Sequence, residues 1–553
     1  MKLFSFLRAP VFCACALLLA PARGELSFQE EVTAHLEKTF NPEAPGLAVL
    51  VARDGKVVFT RGFGLADVAQ KREITPETKF RIGSISKQFT AAAIVRLSEQ
   101  GKLTLEDSLA KFFPDFPHGH EVTLRHLLTH TSGVHSYTDK PEFLKHVGDP
   151  VESVQLIASF RDDPPDFTPG AGFHYSNSGY FLLGEIVRQV SGKPLAEYLR
   201  KQFFEPLAMK DTGVFVNSTP PPVMARGYSW NAGKFEPALD WDMSWAGGAG
   251  ALYSTVGDLF RWNEAHFGGH VMSESSFRAA ITPVALPPNV DGMKYGYGLT
   301  MYELKGLPVI GHGGGLNGWA SQLLRLPDQR CTVVALGNSL PPHPGQAPTE
   351  ICQFLAEKLL AADIAKVPPP TEDKSIDPKE FPAFAGRYDY HTGVMTVTVE
   401  GDALFAQLTG QPKFRIFPKS RDEFFWKVAD AHVLFQRNER GEVIAARHTQ
   451  NGNTFQAPRL RDDAVALKPE QLDAFVGQYQ YAPEVILTVT REGAQMLAQL
   501  TGQPQFPIFG KSADEFEWRV VEAKIRFFKN GEGKVTKAIH TQNGAAVEAP
   551  KIK

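Results

Sequence analysis

The chain has 553 residues, too many for one hydrophobic core, so two to four domains are expected. With 43% hydrophobic and 22% charged residues it has the composition of a globular protein. Its 58 Lys and Arg against 61 Asp and Glu give a formal charge of −3, which leaves no basic surplus for nucleic acid or an anionic membrane.

Residues 1–24 read as an export signal. Lys2 and Arg8 precede an apolar run over residues 11–20, and Ala22-Arg23-Gly24 offers small residues for cleavage near Glu25. A periplasmic or secreted protein is therefore expected. The apolar run is too short to span a bilayer, and no later stretch is long enough to be a transmembrane segment. Cys331 and Cys352 remain after cleavage; an oxidising compartment allows a disulfide between them, and two buried thiols fit the sequence as well.

Residues 28–40 have helical periodicity, and residues 46–52 and 56–62 read as strands joined at Asp54-Gly55. Gly83-Ser84-Ile85-Ser86-Lys87 then opens a helix predicted to run to about Gln100 and stop at Gly101. Residues three apart share a helix face, so Ser84 and Lys87 point the same way. A lysine held near neutrality can take a serine's proton, and the unpaired N–H groups of a helix start favour developing negative charge. Alone, the SxxK spacing is weak and reads more readily as a solvated lysine near a serine cap. Residues 103–112 read as another short helix with Asp107 on its polar side.

Residues 123–133 contain His126 and His130 four apart, but no glutamate completes an HExxH zinc pattern, so a loop shaped by His130, Thr131 and Ser132 is expected and no metal. Tyr175-Ser176-Asn177 lies between a Gly-rich turn and a helical run over 181–190. A tyrosine hydroxyl there can relay a proton and an asparagine amide can hold a lysine or a carbonyl; an Asx turn with a packed tyrosine is the plainer alternative. Residues 241–255, with Gly247, Gly248, Gly250 and a cap at Ser254 or Thr255, are assigned a structural role. Gly311-His312-Gly313-Gly314-Gly315 before a strand over 322–326 allows close backbone approach to a ligand, or a bulge.

Taken in order, SxxK at Ser84 and Lys87, YxN at Tyr175 and Asn177 and HxG at His312 and Gly314 resemble the class C β-lactamase-related serine hydrolases. That group includes penicillin-binding proteins, D-alanyl-D-alanine carboxypeptidases, D-aminopeptidases and esterases. LLTHTSG at Leu127 to Gly133 and YSNSGYFLLGEIV at Tyr175 to Val187 also match. The resemblance implies an α+β catalytic domain and an acyl-enzyme at Ser84. Lys87 and Tyr175 would move the proton, Asn177 would hold Lys87 or the substrate, and Gly315 with Ser84 would supply the oxyanion N–H groups. His312 stands where most β-lactamases have lysine, and an imidazole holds a carboxylate less firmly than an ammonium. The implied substrates are small peptides, amides or esters, with β-lactams disfavoured and no cofactor required. A binding protein for peptidoglycan-like or acyl ligands is the competing reading.

Residues 366–378 form a polar, Pro-rich linker, which separates a catalytic domain over 25–365 from a tail that repeats itself. Ala383-Phe384-Ala385-Gly386-Arg387-Tyr388 returns as Ala474-Phe475-Val476-Gly477-Gln478-Tyr479, and Leu408-Thr409-Gly410-Gln411-Pro412 as Leu500-Thr501-Gly502-Gln503-Pro504. A period of about ninety residues suits a small domain copied once. Alternating apolar residues predict two antiparallel β-barrels, over 379–461 and 462–553, which resemble the lipocalin-like domains of some D-aminopeptidases. His448 and His540 recur before Asn-Gly pairs and are read as part of a repeated turn signature.

Overall fold

The computed structural model describes the chain from Ser27 to Lys553 except residues 288–292, 391–392, 439, 451–452, 461–468, 484, 494, 502–504, 519–522 and 543–544. The leader expected over residues 1–24 lies outside the described residues. Among those described, no helix is long and apolar enough to cross a membrane. The chain forms two compact units, the first from residues up to Val284 with Tyr295–Thr300 and Ile310–Ala361, the second from Ala285–Lys294, Met301–Val309 and Ala362–Lys553.

Helix α1 (Phe28–Thr39) starts at Ser27, which with Glu30 forms a capping box. Strands β1 (Leu47–Arg53) and β2 (Lys56–Phe63) make the expected hairpin, with Asp54 and Gly55 in left-handed conformation at φ 53° and 73°. Helices α2 (Ser86–Glu99), α3 (Asn177–Ser191) and α4 (Val256–Phe267) follow. Strands β3 (Thr300–Leu304), β4 (Leu307–Leu316), β5 (Trp319–Leu326) and β6 (Cys331–Gly337) then join the first hairpin in the order β3-β4-β5-β6-β1-β2, and helix α5 (Pro348–Leu359) closes this part of the chain. The sheet is covered on both faces. Residues three apart on a strand point to opposite sides; Gln322 accepts from Thr349 of α5, while Arg325 pairs with Glu264 of α4.

α2 is buried on nearly every side, from Ser86 through Val95, so it is a core helix rather than an amphipathic surface one. α3 approaches the 247–250 segment closely, for a Cβ on Gly248 would lie 2.6 Å from the Tyr180 carbonyl oxygen. The predicted helix over 103–112 is not formed; only Leu109–Lys111 make a 3-10 turn. Asp107 accepts from the Thr104 N–H at 3.0 Å, and such local side-chain bonding competes with a helix.

In the tail, the first repeat is a closed barrel of eight strands from Gly386–Asp389 to Asn453–Leu460. The second is an eight-stranded sheet in the same sequential order. Its edges meet where the Gln478 N–H donates to the Lys553 carbonyl and the Ile552 N–H to the Gln478 carbonyl, at 2.9 and 2.8 Å. The α+β catalytic part followed by two antiparallel barrel-like sheets is the architecture read from the sequence. The turn-signature reading of the two histidines is corrected: His448 lies within strand Val443–Gln450 and His540 within Val535–Gln542. Each packs between a tryptophan and a tyrosine, Trp426 and Tyr390 at 5.0 and 5.6 Å, Trp518 and Tyr481 at 4.8 and 5.7 Å between ring centres. The Asn-Gly pairs that follow lie outside the described residues.

Candidate active site

Ser84 lies in a 3-10 turn over Gly83–Ile85 that runs directly into α2, so the α-helix expected to open at Ser84 begins two residues after it, at Ser86. Gly83 is left-handed at φ 50°, and a Cβ on it would come within 2.8 Å of the Gly315 nitrogen. Glycine is required here on both counts. From the other side, a Cβ on Gly314 would fall 2.0 Å from the Ile82 carbonyl oxygen and 2.4 Å from Ser321 Oγ. Ser321 Oγ donates to that Ile82 carbonyl at 2.9 Å, which pins β5 to the turn. β4 and β5 pair without a bulge, His312 opposite Leu323 and Gly314 opposite Ser321. The face carrying His312 and Gly314 therefore looks toward the Ser84 turn, and Gly313 looks away toward Gln322.

Lys87 is fully buried. Its Nζ lies 3.1 Å from Ser84 Oγ, 2.7 Å from Asn177 Oδ1 and 2.9 Å from the Ala249 carbonyl oxygen. Burial pushes its pKa well below the usual lysine value. Two of the three neighbours are amide carbonyls that can only accept, so a neutral Lys87 donates to both and turns its lone pair to Ser84. Asn177 is the first residue of α3, after the cap Ser176, which accepts from the Gly179 N–H. Asn177 Nδ2 donates to Thr138 Oγ1 at 3.0 Å and its backbone N–H to Ser136 Oγ at 3.1 Å, so the amide is fixed with its oxygen toward Lys87.

Tyr175 places its ring 4.8 Å from Lys87 Nζ. Its hydroxyl is buried and has no hydrogen bond of good geometry among the described residues. Burial raises its pKa, and the neighbouring Ser84 side chain lowers it by less, so the phenol stays protonated. His130 packs on the Tyr175 ring at 4.3 Å and its Nδ1 accepts the Ser176 N–H at 3.0 Å. Thus His130 reaches across the fold to hold the Tyr175-Ser176-Asn177 turn, beyond the local loop bonds expected of it. His312 Nδ1 lies 2.5 Å from the Gly313 carbonyl oxygen, and its Nε2 lies 2.8 Å from Tyr295 OH. Burial pushes its pKa down to about 3, so the imidazole is neutral.

The structure thus gathers Ser84, Lys87, Tyr175, Asn177, His312, Gly314 and Gly315 around one turn. Four contributors escaped the sequence reading. Ala249, in a stretch assigned a structural role, acts through its backbone carbonyl, which no side-chain pattern marks. Tyr295 carried no motif, and Ser136 and Thr138 were hidden in an unremarkable loop. His126 and His130 do not converge: His126 Nδ1 accepts the Thr123 N–H. Cys331 and Cys352 are both buried and free.

Residues 33–356 match the family described as "Beta-lactamase", and residues 370–457 match a "Domain of unknown function (DUF3471)". Penicillin-binding protein 4* of Bacillus subtilis (strain 168) is 29% identical over 421 residues, 71% of this chain and 90% of that protein. The D-aminopeptidase of Brucella canis is 29% identical over 314 residues, 54% of this chain and 57% of that protein, so the chain spans little more than half of the latter. Among solved structures, the octameric penicillin-binding protein homologue from Pyrococcus abyssi aligns with a TM-score of 0.52 at 27% identity, over 77% of this chain and 97% of that one. The D-amino acid amidase from Ochrobactrum anthropi SV3, complexed with L-phenylalanine amide, gives 0.53 at 25% identity over 60% and 99%. The chain belongs to the Beta-lactamase family and is a serine hydrolase of the β-lactamase-related type.

Proposed function

We propose that this is an exported hydrolase that forms an acyl-enzyme at Ser84 on small D-amino-acid amides, peptides or esters. The observation that carries the mechanism is the Lys87 amine, stripped of water and surrounded by Ser84 Oγ and two acceptor-only carbonyls. The neutral amine takes the Ser84 proton as Oγ attacks the substrate carbonyl carbon. The developing oxyanion is held by the backbone N–H groups of Ser84 and Gly315, which Gly83 and Gly314 bring together by having no Cβ. The leaving nitrogen or oxygen needs a proton as its bond to the carbonyl breaks. The protonated Tyr175 hydroxyl supplies it and is refilled from Lys87. Water then reverses the sequence on the ester, releasing the acid and restoring Ser84. Asn177 fixes Lys87 throughout.

The D-amino-acid preference follows relatives named D-aminopeptidase and D-amino acid amidase. Export rests on the pattern of residues 1–24. A neutral His312 offers no permanent charge to a β-lactam carboxylate, so a chromogenic cephalosporin is expected to turn over more slowly than D-amino-acid amides. Labelling with a fluorophosphonate probe, read by mass spectrometry beside turnover of matched D- and L-amino-acid amides, tests the reading. Ser84 should carry the label and the D-amides should be preferred; label elsewhere, or labelling that survives Ser84→Ala, would sink it.

A further inference from the structure

β4 extends past the Ser84 turn in both directions. At one end are His312 and Tyr295. At the other, Asn317 follows Gly315 by two residues, about 7 Å of extended chain, and lines a cavity of about 630 Å³ in the first unit. Trp319 lines it too, as does Arg81, which precedes Ser84 by three residues.

The cavity lining carries three guanidiniums and two carboxylates, and a third carboxylate, Asp242, acts on Arg81 from beside it. Arg226 Nε pairs with Asp67 Oδ2 at 2.9 Å and Arg81 Nη1 with Asp240 Oδ1 at 2.7 Å. Arg72 is the third guanidinium in the lining; it donates from Nη2 to the Met224 carbonyl at 2.6 Å and has no carboxylate partner among the described residues. Arg81 is only 4% exposed and lies 4.0 Å over the Phe215 ring. Arg81 Nε and Arg72 Nη1 are buried with no hydrogen-bond partner among the described residues. Two buried guanidinium nitrogens without an acceptor are costly unless one fills the space beside them. A carboxylate is the matching acceptor, since it takes guanidinium donors in a planar fork.

The direction of the substrate follows from Tyr175. Its ring lies 6.0 Å from the His312 ring, so the leaving group that takes the Tyr175 proton departs at the His312 end. The acyl arm then lies toward Asn317. We propose that this cavity receives a carboxylate on the acyl arm, so that the preferred substrates are amides or esters of acids bearing a second carboxylate. The proposal rests on the Ser84 acyl-enzyme reading given above.

Matched 4-nitrophenyl esters of glutaric and pentanoic acid, equal in chain length and differing in the terminal carboxylate, test it. The glutaryl ester should show a kcat/KM about tenfold higher, with the ratio falling toward one in both Arg81→Met and Arg72→Gln. A ratio at or below one in the unaltered protein, or one unchanged in both variants, would overturn it. Calorimetry of glutarate on Ser84→Ala separates the cavity from the chemistry and guards against a misfolded Arg81 variant. Binding that disappears on adding Arg72→Gln supports the cavity, and no binding rejects it. If neither ester needs Ser84, the acyl-enzyme reading fails instead.

Discussion

The Ser84 centre and the repeated histidine of the barrels both bury polar groups among aromatic rings, yet their surroundings differ. At Ser84 the preceding glycine is forced to φ 50°, strand β4 has no side chains over residues 313–315, and the Tyr175 hydroxyl is left unspent. In the barrels the backbone is regular strand, and Tyr388 and Tyr479 each return their hydroxyl to a carbonyl four residues back, Phe384 and Phe475, at 2.7 Å. Reactive groups sit where the backbone departs from regular strand or helix. Repeated groups sit where they complete a local packing unit.

The largest expected effect breaks the comparison if it fails. Ser84→Ala and Lys87→Met should each lower kcat/KM by about 10³-fold or more, with secondary structure by circular dichroism unchanged. Lys87→Met removes the base while roughly preserving volume in a fully buried site. Turnover retained by that variant would reassign proton transfer to Tyr175 alone.

A buried histidine outside both regions sharpens the point that unspent polar atoms do not by themselves make a site. His266 on α4 is 1% exposed, lies among Trp262, Phe267 and Phe277, and has no partner for either ring nitrogen among the described residues. Burial pushes its pKa down to about 4. An unfolded histidine binds a proton below about pH 6.5, so the unfolded state holds more protons as the pH falls from there to 4. Stability should be full above pH 6.5 and drop by about 3 kcal/mol on the way to pH 4 from this residue. Urea unfolding across that range should show the drop reduced in His266→Phe. An unaltered pH slope in the variant would show that other groups carry the acid sensitivity.

Gly314→Ala tests the close approach of β4 to the turn. Its Cβ would meet the Ile82 carbonyl at 2.0 Å, so strand or turn must shift, and misplacement of about an ångström costs roughly 10²-fold in turnover. Gly313, whose Cβ would come no closer than 3.0 Å to Gln322 Oε1 on the other face, is the control and should tolerate alanine with a smaller loss.

The contrast also explains what the sequence could disclose. Ser84 and Lys87 were legible because helix geometry links residues three apart, and the barrels because one domain is copied with its aromatic and turn residues. The pairing of Ser84 with Tyr175 and Asn177 came from resemblance, since their sequence separation has no local geometric meaning. Ala249 and Tyr295 were not legible, because one contributes a carbonyl that every residue possesses and the other meets His312 only after β4 has joined the sheet. Arg81 stands three residues before Ser84 but belongs to no motif. Its role depends on Arg72, Arg226, Asp240 and Trp319, brought together from distant parts of the chain. The failed helix over 103–112 shows the converse: apolar spacing lost to a short aspartate-centred turn.

The smallest effect separates the two barrels from each other. In the first, Tyr390 OH lies 3.0 Å from His448 Nδ1. In the second, the Trp518 stack on His540 is kept at 4.8 Å, but Tyr481 OH and His540 Nε2 have no partner among the described residues. Phenylalanine preserves the ring packing in both and removes the nitrogens. His448→Phe should therefore cost about 1 kcal/mol through the lost hydrogen bond, and His540→Phe should be close to neutral, by chemical denaturation of the full chain. Equal costs would mean that stacking, not hydrogen bonding, makes the histidine useful at both positions. If either substitution instead cut kcat/KM by about tenfold, the barrels would have to be counted as part of the catalytic machinery, and the division between reactive and repeated clusters would fall.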